Sequence, residues 1–144
     1  MGVLADAVLA HGGKVIGVIP NLLKKVEVLH QGLDELYTTK KMSKRKVKIS
    51  RLVDAYLILP GGFGTLDEFF EATTLGQLGI ESKPVGILNT KSYYDLVLRQ
   101  MDHMVQEGFL SKVHREMIQV DASPEQLLEL LAHHQVPRVS KIQP

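Results

Sequence analysis

The chain has 144 residues, of which 44% are apolar, and its 17 basic and 16 acidic side chains give a net charge of +1. This length and apolar content are typical of one globular domain with a sizeable core, and the near-zero charge argues against a generally polyanion-binding surface. The absence of cysteine excludes disulfides, cysteine metal sites and thiol nucleophiles.

The first half of the chain alternates between helix and strand patterns. Apolar spacing and turn residues predict a helix over residues 3–10, a strand over 15–19, a long surface connection over 21–37 and a basic helix from an N-cap at Ser43 to about Val53. Seven lysines and arginines lie between Lys40 and Arg51. On its own, such a run is typical of a solvated helix face, and a nucleic-acid patch is the alternative.

The second half continues the alternation, which is typical of a layered parallel α/β sheet. It predicts a strand over 55–59, a helix from Leu66 to about Leu78, a strand over 85–88, a helix capped by Ser92 and ended by Gly108, a strand over 117–120 and a helix opened by Ser123 and Pro124. We expect one domain over residues 1–135 and a loosely packed tail over 136–144.

The Ser92-capped helix carries an apolar stripe, for which we expect core packing. Burial against a second subunit is the alternative for part of this stripe, together with apolar residues of the preceding helix. The side chains concerned are Leu96, Val97, Met101, Met104, Val105, Phe69, Phe70 and Leu75.

The most informative segment is residues 55–71, which read AYLILPGGFGTLDEFFE. A strand, a glycine-rich turn and a helix start leave backbone N–H groups and the positive end of the helix dipole free to hold a phosphate. Asp67 and Glu68 lie beside this place, in position for acid–base work or for contact with a sugar. The alternative interpretation is a capping box, in which Thr65 caps the helix and Glu68 reaches back to the cap.

The basic helix and the glycine turn are expected to meet at one edge of the sheet. A helix in an α/β unit runs opposite to the strand that follows it, so the basic helix begins where the 55–59 strand ends. Arg45 and Glu68 are thereby brought to the edge at which open parallel sheets bind ligands. A cation, a phosphate cradle and a carboxylate together predict a site for a phosphorylated sugar or nucleotide.

Two motifs resemble those of a known family. PGGFGTLDE matches PGGxGTxxE, and residues 42–46, MSKRK, resemble the MxxRK element of the LONELY GUY (LOG) family, called lysine decarboxylase-like in older naming. The resemblance extends to about Leu131 and implies a Rossmann-like parallel sheet with helices on both faces. It also implies a homodimeric phosphoribohydrolase that cleaves the N-glycosidic bond of a cytokinin riboside 5′-monophosphate, or of AMP, to free base and ribose 5-phosphate.

The resemblance also implies roles for individual residues. It assigns catalysis to Arg45 and Glu68, and substrate binding to Met42, Lys46, Pro60, Gly61, Gly62, Gly64 and Thr65. Glu68 would either stabilise the positive charge that develops on the ribose or position the attacking water, and the sequence leaves both roles open. Family members usually carry a strand, a helix and a second strand before this region, ending in a GGGxxGLMG-type loop, and Met1-Gly2-Val3-Leu4 resembles the end of that loop. We therefore expect a fold truncated at its N-terminus relative to the family.

We expect no cofactor and no metal. The six histidines form neither a HExxH pair nor another ligand spacing, and lysine decarboxylation normally requires a pyridoxal phosphate framework that this sequence does not offer. A non-catalytic nucleotide or cofactor carrier is the second class of function; the presence of both Arg45 and Glu68 favours the enzyme. No apolar stretch reaches the roughly 18 residues that span a bilayer, so we expect a cytoplasmic protein without nucleic-acid or membrane partners.

Overall fold

The computed structural model describes residues 2–24 and 30–137. The chain divides into two compact units, Met1–Val53 and Asp54–Pro144. Every strand pair in the described residues is parallel, and helices flank the sheets, which confirms the predicted α/β class and is consistent with a Rossmann-like fold. None of the described helices combines the length and the apolar character needed to cross a membrane.

The first unit has a two-stranded parallel sheet in its described residues. Its elements are α1 (Gly2–Ala10), β1 (Ile16–Pro20), β2 (Glu35–Thr39) and α2 (Met42–Leu52). α1 ends at the predicted glycines, because Gly12 adopts a φ of 75°, which is unfavourable for residues with a side chain.

β2 corrects the prediction that residues 21–37 form only a connection. The segment ELYTT lacks a clear apolar alternation, and its pairing with β1, from Ile16 opposite Glu35 to Pro20 opposite Thr39, makes it a strand. Residues 25–29 of the predicted connection lie outside the described residues.

α2 also begins earlier than predicted. Lys41 occupies the N-cap position in an extended conformation without a side-chain cap bond, so Ser43 lies inside the first turn and the predicted cap was wrong. The predicted end is confirmed, because Val53 is the C-cap. α2 packs against β1 and β2, and the Lys48 ammonium lies 3.6 Å from the centroid of the Tyr37 ring.

The second unit contains a parallel sheet with the strand order β3-β4-β5. Its elements are β3 (Tyr56–Ile58), α3 (Phe63–Gln77), β4 (Val85–Leu88), a 3₁₀ turn (Thr90–Ser92), α4 (Asp95–Gln106), α5 (Lys112–Glu116), β5 (Ile118–Asp121) and α6 (Pro124–His133). All four residues of β4 are buried, as expected for a central parallel strand.

Helices cover both faces of this three-stranded sheet. On one face Ile87 belongs to a core with Phe69 of α3 and Met101 of α4. On the other face Leu88 packs with Leu127 of α6. Because successive strand residues point to opposite faces, neighbouring positions of β4 supply both cores.

Two helix starts in this unit were predicted from serines, and one of them is correct. Ser123 caps α6 by accepting a hydrogen bond from the Gln126 amide at 3.3 Å, and Pro124 is the first helical residue. Ser92 does not cap α4: it lies in the 3₁₀ turn with a φ of 59°, and Tyr94 occupies the N-cap position. The predicted cap at Ser92 was therefore wrong.

The apolar stripe of α4 contributes only partly to the core. Met101 is buried and Val97 packs against the same core, whereas Leu96 is 75% exposed. Phe69 of α3 is fully buried in its own unit, which removes it from any contact with a second subunit. Phe70 beside it is 41% exposed.

Candidate active site

The glycine turn leads directly from β3 into α3. The first backbone bond of the helix runs from the Leu66 amide to the Gly62 carbonyl, at 3.1 Å, and Gly62 is the N-cap residue. The amides of residues 63–65 precede this bond and so have no acceptor within the helix. They form, at the carboxyl end of a parallel strand, the kind of helix terminus that binds anions.

This helix start excludes the capping-box interpretation. Thr65 is the third residue of α3 rather than its N-cap, and no side chain makes a cap hydrogen bond at Gly62. α3 begins at Phe63, three residues earlier than predicted, and the Thr65 side chain lies against Gly61 instead of capping the helix. Glu68 lies three residues after Thr65, one helical turn further on, and is half-buried.

Thr65 packs closely over Gly61. A Cβ built on Gly61 would lie 2.2 Å from Thr65 Oγ1 and 2.9 Å from Thr65 Cβ. The same test at Gly62 and Gly64 finds no atom within 4 Å. Gly61 is therefore required by the packing of the turn itself, whereas the backbone at Gly62 and Gly64 is open to an approaching molecule.

Two tyrosines hold the turn through its carbonyls. Tyr93 donates from its hydroxyl to the Gly61 carbonyl at 2.8 Å, and Tyr94 donates to the Leu59 carbonyl at 2.7 Å. Their rings pack edge to face, with centroids 4.9 Å apart. Burial raises the pKa of Tyr94 above its ordinary value, an effect that the backbone amide of Gly61 partly offsets.

In the first unit, the predicted cationic residues lie on α2. Met42 is the first helical residue, Arg45 follows within the first turn, and Lys46 is half-buried. Arg45 donates from Nε to the Val18 carbonyl of β1 at 3.0 Å. This bond fixes the guanidinium relative to the strand on which α2 packs.

Comparison with known proteins gives a consistent result. A family model described as "Possible lysine decarboxylase" matches residues 1–131. Two relatives from Arabidopsis thaliana are named cytokinin riboside 5′-monophosphate phosphoribohydrolase: LOG2, 41% identical over 93% of this chain and 63% of its own length, and LOG1, 40% identical over 99% and 66%. A rice relative, Oryza sativa subsp. japonica LOGL3, carries the same name as "probable" and is 40% identical over 93% of this chain and 64% of its own.

The chain belongs to the LOG family. It spans 63 to 66% of the length of these three relatives. The family resemblance that the motifs predicted is thus confirmed.

The predicted LOG site residues fall into two groups, one in each unit. Met42, Arg45 and Lys46 lie on α2 of the first unit. The second unit brings together, over residues 60–68, Pro60, Gly61, Gly62, Gly64, Thr65 and Glu68. The meeting of the two groups at one site stays a prediction.

Sequence reasoning missed the support that Tyr93 and Tyr94 give to the turn. A signal was present, because both follow β4, and β4 pairs in parallel with the strand that ends at the turn. Residues after neighbouring parallel strands meet at the same edge of a sheet. No group of three or more histidine, aspartate or glutamate side chains in the described part of the chain is arranged to hold a metal ion.

Proposed function

We propose that this LOG-family chain hydrolyses the N-glycosidic bond of a cytokinin riboside 5′-monophosphate or of AMP, releasing the free base and ribose 5-phosphate. The observation that carries the proposal is the start of α3 at Phe63, which leaves the amides of residues 63–65 without helical acceptors and puts Glu68 one turn further on. The names of the relatives support the same substrate class.

In this proposal the 5′-phosphate binds at the glycine turn, through the amides of the first turn of α3. Gly62 and Gly64 admit the phosphate because no atom lies where their side chains would be. The family resemblance assigns Arg45, Lys46 and Met42 of α2 to substrate binding and catalysis as well, and we propose these roles for them. The proposal therefore treats residues 1–135 as one nucleotide-binding domain, with 136–144 as a tail.

The reaction consumes one water. The bond between ribose C1′ and the base nitrogen breaks, the water oxygen bonds to C1′, and the base leaves with a proton. Positive charge develops on the ribose as this bond lengthens, and a carboxylate close to the sugar stabilises it, as in glycoside hydrolysis. Glu68 has this role or takes the proton of the attacking water, and Arg45 holds the substrate in register with it.

Lysine decarboxylation, which the description of the family model names, is not proposed for this chain. That reaction normally uses pyridoxal phosphate bound to a lysine as its electron sink. The residues that this chain shares with the LOG motifs, a phosphate-binding turn followed by a carboxylate, correspond to hydrolysis of a phosphorylated nucleoside.

The test is the release of free base from AMP and from isopentenyladenosine monophosphate, followed by chromatography. Glu68→Gln is expected to abolish release while AMP still binds, and Asp67→Asn is the matched control, since Asp67 is the exposed neighbouring carboxylate. Equal release by wild type and Glu68→Gln would contradict the catalytic role. AMP binding by the wild type without any release would favour the nucleotide carrier instead.

We also propose that the protein forms a homodimer. Phe63 and Phe70 stand seven residues apart on α3, which puts them on one face of the helix, and they are 93% and 41% exposed. Exposed aromatic side chains on one helix face are typical of protein interfaces. Light scattering should give twice the chain mass of 16.0 kDa for the wild type and a smaller mass for Phe70→Glu. A cytoplasmic location stays a prediction.

A further inference from the structure

We propose that Tyr93 is a positioning residue for the phosphate: its hydroxyl orients the Gly61–Gly62 peptide so that the Gly62 N–H faces the bound anion. The inference rests on the proposed function, because it assigns a role within the same site. It adds a residue outside both LOG motifs.

The Gly61 carbonyl and the Gly62 N–H belong to one peptide bond. The Tyr93 hydroxyl holds the Gly61 carbonyl at 2.8 Å. A trans peptide is planar, so the N–H of Gly62 points away from the carbonyl that Tyr93 holds. Fixing one end of this peptide therefore fixes the direction of the other.

The Gly62 amide adjoins the open end of α3. Gly62 is the N-cap residue, so its N–H immediately precedes the amides of residues 63–65. Within residues 2–24 and 30–137, no hydrogen-bond acceptor is found for this N–H. No atom lies within 4 Å of the position of a Cβ on Gly62, so an anion has space to reach it.

Tyr93 is itself held in place. Its ring packs against Tyr94, whose amide donates to Asn89 Oδ1 at 2.8 Å, and the Asn89 side-chain amide donates to Asp95 at 2.8 Å. The intervening turn contains two residues other than glycine with positive φ, Lys91 and Ser92. Such strained conformations persist where the surroundings hold them, and they concentrate at functional sites.

Tyr94 provides an internal control. It makes an equivalent bond to the Leu59 carbonyl at 2.7 Å. The next residue is Pro60, which has no N–H, so this bond orients a peptide that cannot donate to a phosphate. The Gly61 amide interacts with the Tyr94 hydroxyl itself. The two tyrosines thus hold neighbouring carbonyls, but only the bond of Tyr93 holds the peptide that carries the Gly62 N–H.

The experiment compares Tyr93→Phe with Tyr94→Phe in the full chain. Calorimetry measures the affinity of each for AMP and for adenosine, which lacks the phosphate. Tyr93→Phe is expected to weaken AMP binding about tenfold to a hundredfold, the range for loss of a hydrogen bond to a charged group, and adenosine binding less than twofold. Tyr94→Phe is expected to lower thermal stability and to leave the AMP-to-adenosine affinity ratio within twofold of wild type.

Steady-state kinetics add a second readout, in which Tyr93→Phe raises KM for AMP with little change in kcat. The inference is overturned if Tyr93→Phe leaves the affinity ratio unchanged, if both variants lower it equally, or if the wild type binds AMP no better than adenosine. Failure of the proposed hydrolysis is a separate result. If the wild type binds AMP and releases no base, the affinity ratios of the two variants still decide the role of Tyr93.

Discussion

Replacing Gly61 by alanine tests the packing of the glycine turn directly. The added Cβ would lie 2.2 Å from Thr65 Oγ1, 2.9 Å from Thr65 Cβ and 3.3 Å from Thr65 Cγ2. Gly61 is not among the glycines with positive φ, so the expected cost is steric rather than conformational. Rotation of the threonine side chain relieves the contacts to Oγ1 and Cγ2 but not the contact to Cβ, and the backbone must therefore shift.

The size of the effect follows from these distances. Forcing an extra methyl group into a well-packed site lowers the free energy of unfolding by about 1–3 kcal/mol. Because the contact to Thr65 Oγ1 would be very short, we expect Gly61→Ala to lose about 2 kcal/mol. Gly64→Ala is the matched control. No atom lies within 4 Å of its Cβ, and alanine is favoured over glycine in a helix by about 0.5–1 kcal/mol. The control should therefore be neutral or stabilising.

Urea unfolding monitored by circular dichroism gives the free energy of unfolding for both variants. The double substitution Gly61→Ala with Thr65→Ala removes the contacts to Oγ1 and Cγ2, so it should recover about half of the loss caused by Gly61→Ala. The reasoning would be refuted if Gly61→Ala were as stable as wild type. It would also be refuted if Gly64→Ala were destabilised to the same extent.

Three further predictions concern the second unit. Ser123→Ala removes the acceptor for the Gln126 amide at the start of α6 and should lower the free energy of unfolding by about 1 kcal/mol in urea titrations. Ser92 has a φ of 59°, which glycine adopts more easily than serine, so Ser92→Gly should raise the free energy of unfolding by about 0.5–1 kcal/mol in the same assay. A lower free energy of unfolding would contradict backbone strain at this position. Burial raises the pKa of Tyr94 above 10.0 in the folded protein, so the folded state favours the neutral hydroxyl. The stability that this hydroxyl contributes is fully present below pH 10 and is lost as the pH rises through the folded-state pKa. Unfolding free energies between pH 9 and 11 should fall less steeply for Tyr94→Phe than for wild type.

Local sequence signals predicted most of the regular elements because their causes lie within a few residues. Ser123 followed by Pro124 predicted the start of α6, since both a cap acceptor and a pre-set φ are properties of those residues. β4 was predicted over residues 85–88 because a short apolar run is what a central parallel strand requires. β2 was missed because it becomes a strand through pairing with β1, whose partner residues lie nineteen positions earlier in the sequence.

The start of α3 could not be predicted from propensity alone. Threonine and glycine are about equally favourable at N-cap positions, and the Thr65-to-Glu68 spacing matches a capping box, so local preferences pointed to Thr65. Tertiary packing decides otherwise, because the Thr65 side chain lies against Gly61 instead of capping a helix that begins after it. The glycine turn between β3 and α3 was thus predicted where the structure has it, but with the wrong helix start, and its role as a phosphate site stays a prediction. The contribution of Tyr93 depends on contact across 32 positions of sequence and has no local signal.

Glycine occurs at three positions of the turn, and the physical reason differs between Gly61 and the other two. Glycine is needed at position 61 because a side chain there would clash with Thr65, so packing within the protein explains this residue. Gly62 and Gly64 have open space at their Cβ positions, and neither is among the glycines with positive φ, so neither packing nor backbone conformation requires glycine there. Glycine inside a helix also lowers stability relative to alanine, which makes Gly64 unfavourable for folding. A residue that costs stability without a structural need is best explained by a molecule that approaches the backbone at that point, and the amides of residues 63–65 favour an anion as that molecule.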